Sequence, residues 1–200
     1  MIKDNKLEDF VPQTRVNETL ILSENLGDNL FNSILKKDYK FSATDFKHLA
    51  NQLDFFHSKN MVHRDIKLEN LFFDNEKKRI RISDLDGCGK IGDFKKPLSP
   101  GEHLSSTVRL FTTKCQRNTL FQNNSTLSVK FDQFCWLYTM LEAYNGKLFY
   151  NDLQMVAALK TGEFVPFLNE CIKSEQIDNV KNFLLDPINY SIENLSHVLK

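Results

Sequence analysis

The sequence predicts an α+β fold that is mostly α, and three observations carry that expectation. Apolar, β-branched runs suited to strands are few and short: Glu18 to Leu22 (ETLIL), Leu71 to Phe73 (LFF) and Arg79 to Ile82 (RIRI). Helical spacing of apolar residues fills 43–57 and most of the stretch from 131 onward. The run FDQFCWLYTMLEA, Phe131 to Ala143, is apolar nearly all round and marks a helix buried on most sides.

Taken in order, the first strand of 18–22 is broken by the turn-formers of SENLGDN, Ser23 to Asn29, which include the first glycine of the chain, Gly27. A strand around Phe10-Val11-Pro12 has room before it. Leu30, Phe31, Ile34 and Leu35 then suit a short amphipathic helix ended by Lys36 and Lys37. Ser42 or Thr44 caps a longer one, with Phe46, Leu49, Leu53 and Phe56 on one face through His57, ending at Ser58-Lys59-Asn60. Two strands, 71–73 and 79–82, are joined by Asp74 to Lys78; the second alternates charge and isoleucine, which predicts one solvated and one buried face. Residues 87–130 are irregular, and a connection of that length suggests a functional loop. After the buried helix, further helices are expected over 152–160, 164–177 and 180–185, with a last one capped from Ser191 (SIEN).

Composition narrows the function classes. The chain has 200 residues, with 26 basic and 26 acidic side chains, so it has no broad charge that would attract nucleic acid or an anionic membrane. Cys88, Cys115, Cys135 and Cys171 form neither a CxxC pair nor a zinc pattern, which points to reduced thiols. MIKDNKLEDFVPQ carries acidic residues where a signal peptide needs an apolar run, and no stretch of about eighteen apolar residues exists. A cytoplasmic location is expected, or the interior of a host cell if export uses no apolar signal.

The chemistry concentrates in MVHRDIKLENLFFDNEKKRIRISDLDGCG, residues 61–89. A hairpin over 71–82 returns the chain to its starting end, so Asn70 and Asp84 should face each other. An amide oxygen with a carboxylate suits Mg²⁺, which takes one or two protein carboxylates beside waters and substrate phosphates. Asp65, on the same loop as Asn70, can accept a proton from an attacking hydroxyl, and Lys67 can neutralise a transferring phosphoryl group.

These residues resemble a known family. His63 to Asn70 (HRDIKLEN) is similar to the catalytic loop of the eukaryotic-type serine/threonine protein kinases, and Asp84-Leu85-Asp86 stands where that family has Asp-Phe-Gly. Lys67, two residues after Asp65, is typical of kinases acting on protein Ser/Thr rather than on small molecules. Ile21 to Asn25 resembles the strand and hinge that hold adenine, with Ser23 as gatekeeper, Glu24 and Leu26 against the nucleotide, and Asp28 or Asn29 near the ribose. Asp132, at the expected start of the buried helix, matches the family's Asp that accepts hydrogen bonds from catalytic-loop amides. Leu184 to Pro187 matches the family's penultimate loop.

The resemblance implies a protein-kinase-like large lobe over 30–200, with catalytic loop 63–70, metal motif 84–86 and activation segment about 87–120. It also implies a truncated small lobe over 1–29, one or two strands plus the hinge. The Gly-rich hairpin, the strand lysine and its helix glutamate find no counterpart before residue 18, and Lys3 or Lys6 are weak substitutes. Asp86 replaces a glycine, Ala-Pro-Glu is absent from TTKCQRNTLFQ, and Tyr190 stands where the family has the Arg that pairs with that Glu. Joint loss of a buried ion pair is tolerable where loss of one partner strands a charge.

The implied function is a reduced serine/threonine protein kinase using ATP and Mg²⁺, with Asn70 and Asp84 as metal ligands, Asp65 and Lys67 catalytic, and room for a small lobe supplied in trans. The competing reading is a lapsed kinase that binds and regulates another kinase or its substrate. The missing lysine would cost about 10²–10³ in rate, while a surviving base still supplies about 10²–10⁴. Gly87 to Gly92 fits GxGxxG, but the fingerprint must open a helix and the residues after it do not. His57 and His63 read as packing or backbone anchors, Trp136 as core, and Ser105, Ser106, Thr107, Thr112 and Thr113 as hydrophilic loop rather than phosphosites.

Overall fold

The structure is a computed structural model that describes residues 14–16, 21–23, 27–36, 41–85, 88–91, 125–149 and 152–200. β1 (Thr14–Val16) and β2 (Ile21–Ser23) pair antiparallel, Thr14 opposite Ser23. Of the expected strand 18–22, Ile21 and Leu22 lie in β2; residues 10–12 and 18–20 lie outside the described residues. α1 (Leu30–Lys36) follows, its first turn capped by Asn29, whose Oδ1 accepts from Asn32 N–H at 3.0 Å. Asn29 also bridges to Phe72, so the chain leaving β2 runs beside the later hairpin.

α2 (Ala43–Ser58) opens with the predicted Ser42 cap. Ser42 Oγ accepts from Asp45 N–H, and the Asp45 carboxylate accepts from Ser42 N–H at 2.9 Å, a reciprocal box built with Asp in the third position. Its buried residues Phe46, Leu49, Ala50, Leu53 and Phe56 form one stripe, and the helix ends where Asn60 takes a positive φ of 60°.

β3 (Met61–Val62) leads through a 3₁₀ turn, Leu68–Asn70, into β4 (Leu71–Asp74) and β5 (Arg79–Ile82), paired with Leu71 opposite Ile82 and Asp74 opposite Arg79. The expected solvated face on β5 is not there: Arg81 is fully buried. It stands opposite Phe72, on the face that also carries Asp74, and its Nη1 lies 3.2 Å from Asp74 Oδ2. The other oxygen of Asp74 closes the turn by accepting from Glu76 and Lys77 N–H, 3.0 Å each. β6 (Gly89–Lys90) pairs antiparallel with β3.

α3 (Ser125–Asn145) begins six residues before the apolar run, which it buries completely from Phe131 to Ala143. Asp132 is therefore inside the helix rather than at its start, and the helix dipole does not account for it. α4 (Asp152–Thr161), α5 (Val165–Cys171) and α6 (Ile177–Leu185) follow, with Phe183 of α6 edge-on to Phe134 of α3, Phe167 of α5 edge-on to Tyr144 of α3, and Phe164 and Tyr138 edge-on to Phe149. The helix expected over 164–177 stops at Cys171 because Ile172 is extended and bridges to Leu199. The last helix, α7 (Leu195–Val198), starts after the predicted SIEN cap. Its free amides are satisfied from another element: Asp54 on α2 accepts from Leu195 N–H (3.0 Å), Ser196 N–H (2.9 Å) and Ser196 Oγ–H (2.5 Å). The result is mostly helical with few short antiparallel strands, as the sequence predicts.

Candidate active site

The hairpin β4–β5 does what its register requires. Ser83 N–H donates to Asn70 O at 2.8 Å, closing the ladder at the open end, so residues 70 and 84 meet. Asn70 Nδ2 is the hub: it donates to Asp65 O (2.9 Å) and Asp65 Oδ2 (3.0 Å), and lies 3.4 Å from Asp84 Oδ2. Lys67 Nζ sits 2.6 Å from the same Asp65 Oδ2. Four of the residues singled out from the sequence, Asp65, Lys67, Asn70 and Asp84, thus form one cluster. Asn70 Nδ2 thus faces both carboxylates, Asp65 and Asp84.

Two residues of the cluster's frame are strained. Arg64 has φ 74° and Asp84 has φ 60°, a region that non-glycine residues enter at a cost. Gly89 leaves room for the first: a Cβ there would stand 2.3 Å from an Arg64 guanidinium nitrogen.

Behind the cluster lies a buried polar frame. His63 is fully buried, its Nε2 donating to Ser83 O at 3.0 Å. Burial holds its pKa below the ordinary value, although Asp132, the Ser83 carbonyl, Asp65 and Asp84 all pull upward. The neutral ring then offers Nδ1 to Asp65 N–H, 3.3 Å away. Asp132 accepts from His63 N–H (2.7 Å) and Arg64 N–H (2.8 Å), and from His57 Nε2 (3.1 Å). His63 anchors backbone as expected; His57 does more than pack. Only its position at the last turn of a helix entering the loop signals this in the sequence.

Glu142 on α3 went unremarked in the sequence. Its carboxylate accepts from Phe149 N–H at 2.8 Å. Burial pushes its pKa up to about 7; that N–H opposes the rise and Glu69 adds to it. The buried thiols are poor nucleophiles: burial raises Cys135 well above the usual thiol value and Cys171 to about 12.

Among the described residues no group of three or more His, Cys, Asp or Glu converges on a point, and no helix is long and apolar enough to cross a membrane. Glu24, Leu26, Asp86, the TTKCQRNTLFQ stretch and Ser105, Ser106, Thr107, Thr112 and Thr113 lie outside the described residues. Gly89 and Lys90, in the middle of the GxGxxG match, are strand rather than the start of a helix.

The family model for the protein kinase domain matches residues 6–184. The chain belongs to the protein kinase family. Among curated proteins, this kinase-family chain is 25% identical over 156 residues to the RAF proto-oncogene serine/threonine-protein kinase of Xenopus laevis, covering 74% of this chain and 24% of that protein. It is 33% identical over 88 residues to CBL-interacting protein kinase 2 of Oryza sativa subsp. japonica, covering 43% of this chain and 19% of the relative. It is 45% identical over 52 residues to serine/threonine-protein kinase SBK1 of Mus musculus, covering 26% and 12%. The chain spans a quarter or less of the length of these relatives.

Proposed function

We propose that this chain transfers the γ-phosphoryl group of ATP to a serine or threonine hydroxyl of a protein, with 1–29 acting as the hinge side of the nucleotide site and 30–200 as the large lobe. The convergence of Lys67 and Asn70 on one oxygen of Asp65, with Asp84 3.4 Å from the same amide, carries the reading.

The donor set fits magnesium. Asn70 offers an amide oxygen and Asp84 a carboxylate, a set of oxygen atoms that suits an ion drawing its other ligands from water and phosphate. Those two residues would hold Mg²⁺, which when bound neutralises phosphate charge. Asp65 accepts the proton of the attacking hydroxyl through its carboxylate. Lys67, already in contact with that carboxylate, supplies positive charge where the phosphoryl group passes. Glu24 and Leu26 are assigned to the nucleotide on the hinge side by the family resemblance alone.

Purified protein is incubated with labelled ATP, Mg²⁺ and a Ser/Thr-rich acceptor protein beside an Asp65→Asn variant. Labelling by the native chain that falls by about 10² or more in the variant supports the proposal. Equal labelling, or none from either, removes it and leaves a kinase-fold binding module.

A further inference from the structure

Gly89 lies in a strand, where a glycine weakens the pairing and brings no side chain to pack. Its backbone does not call for one: among the described glycines φ is positive at Gly27, Gly146 and Gly162, and not at Gly89. What position 89 needs is room. A Cβ there would stand 2.6 Å from Cζ and 2.7 Å from Nη1 of Arg64, and closer still to Nη2, so the guanidinium occupies the space a side chain would take. Nη2 also lies 3.5 Å from the carbonyl oxygen of Lys90, the next residue of β6. Gly89 is the cross-strand partner of Val62, so Arg64, two residues beyond Val62, folds its side chain back over the strand pair that β3 has just left. Arg64 has φ 74°, and a turn held in that region persists only when its surroundings fix it. The seat on β6 fixes it through the side chain, one residue before Asp65.

We infer that Gly89 is a positioning residue: by presenting no side chain it seats the Arg64 guanidinium on β6, and the seated arginine holds the turn that aims Asp65. The functional meaning rests on the reading of Asp65 as the proton acceptor, but the seat itself is measurable without phosphotransfer.

Amide hydrogen exchange is compared in four chains: native, Gly89→Ala, Arg64→Ala and the double variant. Alanine suits a strand better than glycine, so a methyl group that met nothing would leave the chain as stable as before or more so. With Arg64 present it should instead evict the guanidinium. The Asp65 amide, 3.3 Å from His63 Nδ1, should then exchange about ten-fold faster while the β4–β5 amides keep their protection. In the Arg64→Ala background the same methyl should change nothing, since the group it displaces is gone. An equal effect in both backgrounds overturns the inference, because the methyl would then act on the strand itself. So does unchanged exchange at Asp65 in Gly89→Ala. If Gly89→Ala does not fold, folding of the double variant supports the seat, and a double variant that fails while Arg64→Ala folds overturns it. Where the acceptor assay is positive, Gly89→Ala should lose kcat by about ten-fold with KM for ATP unchanged, and the double variant should match Arg64→Ala. The expected exchange pattern in a chain that labels no acceptor sinks the phosphotransfer proposal and leaves the seat standing.

Discussion

Glu142 should make the fold weaker as pH rises, and replacing it with glutamine should remove that weakness. Its carboxyl goes from an ordinary 4.5 to about 7 in the folded chain, chiefly by burial. Between those two values the folded state holds the proton and the unfolded state releases it, so the folded state binds more protons and stability falls with rising pH. The penalty is complete above pH 7 and amounts to about 3 kcal/mol, at about 1.4 kcal/mol for each pH unit between the two values. Glutamine stays neutral and keeps an oxygen for Phe149 N–H, the contact now made at 2.8 Å. Glu142→Gln should therefore gain up to about 3 kcal/mol in urea unfolding at about pH 8, or about 6–12 °C in Tm for a chain of this size, with the gap closing towards about pH 5. His63 works in the opposite sense: its lowered folded value means that the unfolded chain takes up the proton first as pH falls below 6.5, so stability is lost on the acid side in both proteins. A gap that does not change with pH, or a variant weaker than the native chain at pH 8, would refute the assignment of Glu142 as a strained buried acid.

Two further substitutions test the frame. Asp74→Ala removes the carboxylate facing buried Arg81 and the acceptor of two turn amides, and should cost about 3–5 kcal/mol by equilibrium unfolding; a loss under 1 kcal/mol would show that the hairpin tolerates Arg81 in another way. Asp54→Ala strips the tertiary cap from α7 and should cost about 1–2 kcal/mol while exposing Leu195 and Ser196 amides to exchange, whereas unaltered exchange there would mean that α7 does not depend on it.

What was legible in the sequence was what periodicity and local chemistry encode. The Ser42 cap and the stripe from Phe46 to Phe56 fix α2 without outside help, and the turn-formers at 74–78 fix the hairpin that joins residues 70 and 84. The misreadings concern contacts that local periodicity does not encode. Arg81 looked solvent-facing because alternation cannot show that a carboxylate two residues past its cross-strand neighbour accompanies it into the core. The start of α7 was misplaced because its cap is Asp54, 141 residues away from Leu195 in the chain. Ile172 scores as helix by composition and is drawn out of it by Leu199. The clustering of Asp65, Lys67, Asn70 and Asp84 was legible because they lie within twenty positions of one another and a single hairpin gathers them; the groups behind them, Asp132 and His57, were split between a family likeness and a residue read as packing.

Asp84 allows the strain at the site to be separated from its function. At φ 60° an aspartate is less comfortable than a glycine, and it is exposed, so the fold gains little from its side chain beyond a long contact of 3.4 Å with Asn70. If the residue is there to hold Mg²⁺, Asp84→Gly should leave the unliganded chain as stable as before or about 0.5–1 kcal/mol more so, since relief of the left-handed backbone outweighs the added freedom of the unfolded chain. Asp84→Asn keeps the tolerance for that backbone and should change unliganded stability little. In both, the thermal stabilisation given by ATP with Mg²⁺ should vanish; in the native chain it should reach about 2.7 kcal/mol at a hundredfold excess over Kd. A glycine variant weakened by more than about 1 kcal/mol would make Asp84 a structural residue. Undiminished stabilisation of the asparagine variant by ATP and Mg²⁺ would take the metal away from it, and with it the geometry on which the phosphotransfer proposal stands.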